Sequence, residues 1–304
     1  MREGTPSQKT SAAGKPEPLA EGGFVFRRSL LLVAFAAAVV LLAISPAGAA
    51  VPHRIVSLSP TATESLFAIG AGKQVVAVDD QSDYPRRAPR TSLSGFTPNV
   101  EAIASYHPDL VVVQYDAGGL VEALRKLDIR VVVQPSAKNL AAAYAEIRQL
   151  GSVTGHKRAA AALVKRMKRA IARAIVATPK RGLSVYHELT PDFYTATSKT
   201  FIGGIYRLFG LRNIADAADS TGSGYPQLSG EYILAANPSL IVLADTRCCG
   251  QTVAAVGKRP GWASLAAVRT GSVVAVDDSV ASRWGPRVVQ FVQAVATILR
   301  RRGG

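Results

Sequence analysis

From Arg54 onward the chain alternates short β-branched runs with longer stretches whose apolar residues recur at helical spacing. RIVSL (54–58), KQVVAVDD, DLVVVQ and IRVVVQ read as strands. Between them, SPTATESLFAIGAG opens on Ser59-Pro60-Thr61 and closes on Gly70 and Gly72, the signature of a capped helix. Asn99 caps a helix that ends before Pro108, and GGLVEALRKLD and NLAAAYAEIRQLGSVTG read as further helices. Strand, helix, strand, helix is the order of a mainly parallel sheet covered on both faces.

From His156 to about Thr178 no Gly or Pro interrupts the chain. Leu163, Met167, Ala170, Ile171 and Ala174 recur at helical spacing among strong helix formers, so one long helix is expected there. Its basic face reads first as solvated, with a binding face as the alternative. A second α/β unit follows: LSVYHEL, LIVLAD and SVVAVDD as strands, FIGGIYRLFGL as a helix, and a last helix started by Pro286. The expectation is an α/β fold of two Rossmann-like lobes with mainly parallel sheets, joined by one long rigid α-helix. Its parts are an N-terminal lobe over 51–155, a connecting helix over 156–178 and a C-terminal lobe over 179–304.

One line is written twice. NVEAIASYHPDLVVV begins at Asn99 and SGEYILAANPSLIVL at Ser229, each with Glu third, Pro tenth and Leu twelfth. An acid in the first turn of a helix suits the free N–H groups and the dipole there. Two such acids on two lobes, Glu101 and Glu231, suit a further purpose. In open α/β sheets the ligand crevice lies at the carboxyl ends of the strands, so both should stand near the rim of one cleft. A matched pair of exposed acids fits a two-fold symmetric, basic partner.

The formal charge is +15, from 36 basic and 21 acidic residues. That favours anionic partners, but no basic stretch is interleaved with aromatics, and RRM, KH and zinc-finger patterns are absent. Residues 1–50 form a separate segment. A Gly, Pro, Ser and Lys-rich stretch leads to Arg27-Arg28, the apolar run SLLLVAFAAAVVLLAI and the small residues Ala47-Gly48-Ala49. This is the order of an export signal. Cleavage after Ala49 is the first reading and an uncleaved membrane anchor the second; Arg27-Arg28 also resembles a twin-arginine signal. The expected location is the periplasm or the outer face of the cytoplasmic membrane.

The rival reading, an enzyme, needs a catalytic constellation, and the standard motifs do not supply one. None of His53, His107, His156 and His187 stands in a metal-binding spacing, and the G-x-S-x-G, Walker A and G-x-G-x-x-G patterns do not occur. His53 and His107 read as structural. His187-Glu188, ending a strand at the expected cleft edge, is the one pair of interest. Cys248 and Cys249 are adjacent and cannot staple distant segments. They read as a plain loop pair, as a vicinal disulfide shaping the cleft wall, or as thiolates facing a chelated metal. The loops after the strands offer the cleft Tyr84, Phe96, Tyr115, Tyr194, Tyr225 and Trp284, with Lys199, Arg247 and Arg283.

RIVSLSPTATESLFAIG, VVAVDDQSDYP and TPNVEAIASYHPDLVVV, in that order, resemble the periplasmic binding proteins for vitamin B12 and iron–siderophore complexes. YPQLSGEYILAANPSLIVL resembles their C-terminal lobe, and the likeness runs over roughly 54–300, closest in motifs to the vitamin B12-binding member. The resemblance implies two lobes on a rigid helix with the ligand between them. It implies the substrate-binding component of an ABC importer rather than an enzyme. By motif position, Glu101 and Glu231 are the acids that dock into arginines of a dimeric permease with its ATPase subunits. Tyr84, Phe96 and Tyr225 match positions that hold the ligand, Phe96 and Tyr225 standing where the vitamin B12 binder carries Trp, and Arg283 matches a ligand-side Arg. The ligand-binding set is therefore Tyr84, Phe96, Tyr115, Tyr194, Tyr225, Arg283 and Trp284. The implied ligand is a metal chelate, a cobalamin-like corrinoid or a ferric siderophore, whose cobalt or iron arrives with it. No resident cofactor and no nucleic-acid partner are expected. Membrane association would run through the permease or the N-terminal segment. A haem- or metal-ion-binding protein of the same superfamily is the alternative, and an enzyme using the interlobe cleft is the lesser one.

Overall fold

The computed structural model describes residues 50–179 and 182–301, and among them eight short strands form two sheets. β1 (Ile55–Leu58), β2 (Val75–Val78), β3 (Leu110–Val113) and β4 (Arg130–Val133) lie in the order β2-β1-β3-β4. β5 (Ser184–Glu188), β6 (Arg212–Asn213), β7 (Leu240–Leu243) and β8 (Val273–Ala275) lie in the order β6-β5-β7-β8. Every pairing is parallel. The leader expected over 1–50 falls, apart from Ala50, outside the described residues.

The two sheets repeat one plan in their central strands. Ile55 pairs with Leu110 in the first sheet and Val185 with Leu240 in the second, each 130 residues on (185 − 55 and 240 − 110). The faces repeat as well. Leu110 and Val112 of β3 point into one buried cluster and Val111 and Val113 into another; Leu240 and Val242 of β7 enter the first of these, while Ile241 and Leu243 enter a third. Buried on both sides, such strands cannot alternate apolar with polar residues, which is why they read as continuous β-branched runs. Full burial of one of these side chains contributes about 1.5–3 kcal/mol.

Helices cover the sheets. In the first half these are α1 (Pro60–Ala68), α2 (Val100–Ala104), α3 (Leu120–Arg125) and α4 (Leu140–Val153). α5 (Lys157–Val176) follows. In the second half come α6 (Phe201–Leu208), α7 (Gly230–Ala236), α8 (Thr246–Cys249), α9 (Val253–Gly257), α10 (Ala266–Arg269), α11 (Asp278–Ser282) and α12 (Val288–Arg301). α5 packs on both α4 and α12. Its Leu163, Met167 and Ile171 share a single buried cluster with Ile55 of β1, Val185 of β5 and Phe291 of α12. The two sheets are thus cemented through α5 and α12 by one continuous core. Val51–Gly304 form a compact unit, and all three buried clusters lie within it. No helix among the described residues is long and apolar enough to cross a membrane.

The repeated line folds alike in both copies. Asn99 Oδ1 accepts from the N–H of Ala102, and Ser229 Oγ from that of Tyr232, so each caps its helix as the sequence requires. Each line then turns through a left-handed residue, His107 (φ 48°) and Asn237 (φ 41°), directly before its proline. His107 therefore serves the backbone turn. Some elements differ from expectation. SVVAVDD is a strand only over Val273–Ala275, because Asp277 caps α11 and Asp278 opens it. The last helix begins at Val288, two residues past Pro286. The two-residue β6 has no hydrophobic run to announce it.

Candidate functional site

The loops at the carboxyl ends of the strands meet residues Ser282–Trp284 and form two adjoining cavities. One, of about 250 Å³, is lined by Phe96 and Tyr115 with Gln81, Gln114, Arg283 and Trp284. The other, of about 450 Å³, is lined by Lys138, Lys199, Tyr225 and Trp284 among others. Ser282 and Trp284 belong to both. The second draws on residues 136–138 after β4 as well as on 199–202 and 222–225 of the second half, so this cleft lies between the two sheets.

Local chemistry sets each aromatic in place. Ser94 Oγ accepts from the N–H groups of Phe96 and Thr97, turning the loop after β2 outward. A Cβ on Gly95 would stand 2.7 Å from the carbonyl oxygen of Leu58, so only glycine lets this loop approach the end of β1. Phe96 is left 70% exposed. Tyr84, Tyr115, Tyr194 and Tyr225 are 41–48% exposed, and with Phe96 they are the exposed aromatic side chains among the described residues. Burying such rings is what an apolar ligand would do. Phe96, Tyr115 and Tyr225 line the cavities. Tyr84 and Tyr194 line neither; the Arg287 guanidinium covers the ring of Tyr84 at 4.3 Å, and Tyr194 pairs as an isolated bridge with Gln227. Trp284 is held from behind: its Nε1–H donates to Glu146 Oε2 of α4 at 2.8 Å. Burial pushes the Glu146 carboxyl up to about 7, and the indole bond opposes that rise.

A charged network crosses the base of the cleft. Glu64 of α1, almost fully buried, accepts from Arg287 Nε at 3.0 Å and Nη2 at 2.6 Å, and from Arg283 Nη1 at 3.0 Å. Arg283 also donates to Asp83 at 2.7 Å and to the Gln81 carbonyl at 3.0 Å. Arg247 bridges Asp83 and Asp277 at 3.1 and 3.2 Å. These arginines hold the Asp83 carboxyl below the usual range against the opposing effect of burial. Arg283 lines the smaller cavity, yet its guanidinium is already engaged by two carboxylates and a carbonyl of the first half. Beside it, Asp79 is buried with Oδ1 unpartnered, and burial raises its carboxyl to about 6.

His187 and Glu188 are not at a cleft edge, as the sequence suggested; both are buried on opposite faces of β5. His187 Nδ1 lies 2.6 Å from the Tyr206 hydroxyl, and burial drives its imidazole down to about 3. Glu188 accepts both prongs of Arg259 at 2.6 Å. A strand of this length buried on two faces hides both side chains, which the sequence order alone did not reveal. Cys248 and Cys249 are joined as a disulfide on the exposed turn α8 and line neither cavity. The Asp278 carboxylate anchors that turn by accepting from the N–H groups of Thr246, Arg247 and Cys248.

Glu101 and Glu231 are exposed in the first turns of α2 and α7, which occupy the same place between strands in the two halves. The Glu231 carboxyl is held below its ordinary range by its own backbone N–H and by Ser229. The sequence reading missed Lys138, Glu146, Glu64, Asp83 and Arg287. Glu64 carried a signal: it is the one charged residue of PTATESLFA. Lys138 and Glu146 carried none.

Two parallel-sheet lobes on one continuous helix, with an aromatic-lined cleft between them, make the architecture of a two-lobed binding protein. The chain belongs to the periplasmic binding protein family, whose sequence pattern matches residues 55–280. It is 33% identical over 81% of its length to a cobalamin-binding protein of Halobacterium salinarum, covering 69% of that protein. It is 31% identical, again over 81% of its length and 79% of the relative's, to an ABC transporter substrate-binding lipoprotein, YvrC, of Bacillus subtilis. Among solved structures it is similar to the periplasmic vitamin B12-binding protein BtuF of Vibrio cholerae, at 26% identity and a TM-score of 0.68, over 83% of this chain and 98% of that one.

Proposed function

We propose that this chain is the extracytoplasmic substrate-binding component of an ABC importer, and that it captures a corrinoid of the cobalamin type between its lobes. The observation that carries this reading is the convergence of Phe96, Tyr115, Tyr225 and Trp284 on one interlobe cleft. A corrin is a broad, largely apolar ring with amide arms. Aromatic faces suit the ring, Gln81 and Gln114 suit the amides, and Lys138 and Lys199 suit an anionic substituent such as a phosphodiester. The relatives named for cobalamin or vitamin B12 support the same ligand. Glu101 and Glu231, exposed at matched positions of the two halves, are proposed to grip a two-fold symmetric permease. Tyr84 and Tyr194 are proposed to meet the ligand from the cleft rim.

Expression in a host supplied with cobalamin, followed by absorbance and mass spectrometry of the purified protein, tests the ligand. A stoichiometric cobalt corrinoid supports the proposal. A haem or ferric siderophore retained instead would reassign the ligand within the same family.

A further inference from the structure

We propose that the helical layer formed by α4, α5 and α12 is a docking surface for a lipid bilayer bearing anionic headgroups. Seven of the twenty residues of α5 are Lys or Arg and none is Asp or Glu. All seven are exposed and occupy one half of the helix, while Ala160, Leu163, Val164, Met167, Ile171 and Ala174 fill the other half and face the core. The neighbouring helices extend the same sign. α12 carries Arg300 and Arg301 and no acid, and α4 carries exposed Arg148. The single acid of α4, Glu146, is bound by the Trp284 indole.

A solvated helix face in a folded protein ordinarily mixes both signs, because like charges three or four residues apart repel. A face of one sign about 30 Å long is therefore kept against a cost, and an anionic surface relieves it. The chemistry favours lipid over nucleic acid. No aromatic side chain stands on the exposed half of α5 to stack on bases. Because the apolar half is buried in the core, contact would be peripheral and electrostatic, without insertion. No residue of α4, α5 or α12 lines either cavity of the cleft, so a bilayer on this face leaves the ligand site free. The surface would keep the undocked protein beside the membrane. The proposal rests on the exported location proposed above.

Co-sedimentation of Val51–Gly304, the unit that holds all three cores, with lipid vesicles tests it. Phosphatidylglycerol-containing vesicles should bind at least about tenfold better than pure phosphatidylcholine at low salt, and the difference should vanish at high salt as charges are screened. The variant K165Q/R166Q/R169Q/R173Q should fall to the phosphatidylcholine level while the control R86Q/R90Q, exposed elsewhere, keeps its preference. A cyanocobalamin titration and a circular dichroism spectrum unchanged in the quadruple variant separate loss of this surface from failure of the cleft or of folding. If that variant misfolds, R166Q/R169Q alone should lower the preference. Equal binding to both vesicle types, an unchanged preference in the folded variants, or an equal loss in the control overturns the proposal. Retention on duplex DNA at a salt that releases the vesicles overturns the lipid assignment.

Discussion

Arg287 closes a two-pronged hydrogen bond on Glu64, at 3.0 and 2.6 Å, across 223 residues of sequence. One partner belongs to α1 of the first half and the other to the segment that enters α12. With Arg283 on the same carboxylate, the pair ties the two halves together at the base of the cleft. A continuous α5 and a shared core do the same work from behind. These ties should hold the lobes in a fixed relation and leave the cleft largely preformed.

Removing the shared carboxylate should reveal how much the latch contributes. Glu64→Ala leaves Arg283 with Asp83 but Arg287 with only a 3.8 Å contact to Asp277, and breaking a buried pair in this way costs up to about 3–5 kcal/mol. Urea unfolding should show a loss of that order. In the wild-type protein, scattering curves with and without ligand should superimpose, since α5 has no Pro or Gly at which to bend. A clear fall in radius of gyration on ligand binding would show that the lobes close like a hinge.

Glu146 should act as a positioning residue for the cleft tryptophan. Glu146→Ala frees the Trp284 indole and should weaken ligand binding by about tenfold, the cost of one lost charge-assisted or neutral hydrogen bond. Glu146→Gln keeps an acceptor and should retain most of the affinity. Tryptophan fluorescence should report the altered environment in the Ala variant and little change in the Gln variant.

Asp79 should make stability fall as pH rises. Its carboxyl moves from an ordinary 3.8 to about 6 on folding, because burial penalises the charged form. The folded state therefore holds its proton to higher pH than the unfolded state. The stability this lends is present below pH 4 and is lost as pH rises through 6, up to about 3 kcal/mol from this group. Asp79→Asn should raise the melting temperature at pH 8 and change little at pH 4. Equal effects at both values would assign the change to packing.

The repeated glutamates should separate docking from capture. Glu101→Ala/Glu231→Ala should fold, since both side chains are exposed, and should bind ligand as the wild type does. Binding to permease-containing vesicles should fall by about tenfold or more, and charge reversal to Lys should be worse. Loss of ligand affinity with docking intact would place the glutamates in the pocket instead.

Much of this was legible in the chain, for physical reasons that particular residues show. The β-branched runs at Leu110 and Leu240 announced strands buried on both faces, and the caps Asn99 and Ser229 announced the helices before them. Phe96, Tyr115 and Tyr225 could be placed beside the cleft because they lie in loops that follow strands, but their exposure is visible only in the fold. In sequence Arg283 matches a ligand-side position, but its partners Glu64 and Asp83 lie about two hundred residues away and no local pattern pairs them. His187 and Glu188 looked accessible because sequence order places them at a strand end and says nothing of the helices that cover it.

Calorimetric titration of the chain from Val51 onward with cyanocobalamin, haem and ferric siderophores tests the central claim most directly. One corrinoid per protein should bind with a Kd below about 10 μM, roughly −7 kcal/mol. Phe96→Ala/Tyr225→Ala should weaken it by about a hundredfold, because two ligand-covered rings are lost. Absence of binding to every one of these chelates, or binding that the double variant leaves unchanged, would contradict capture in the aromatic cleft.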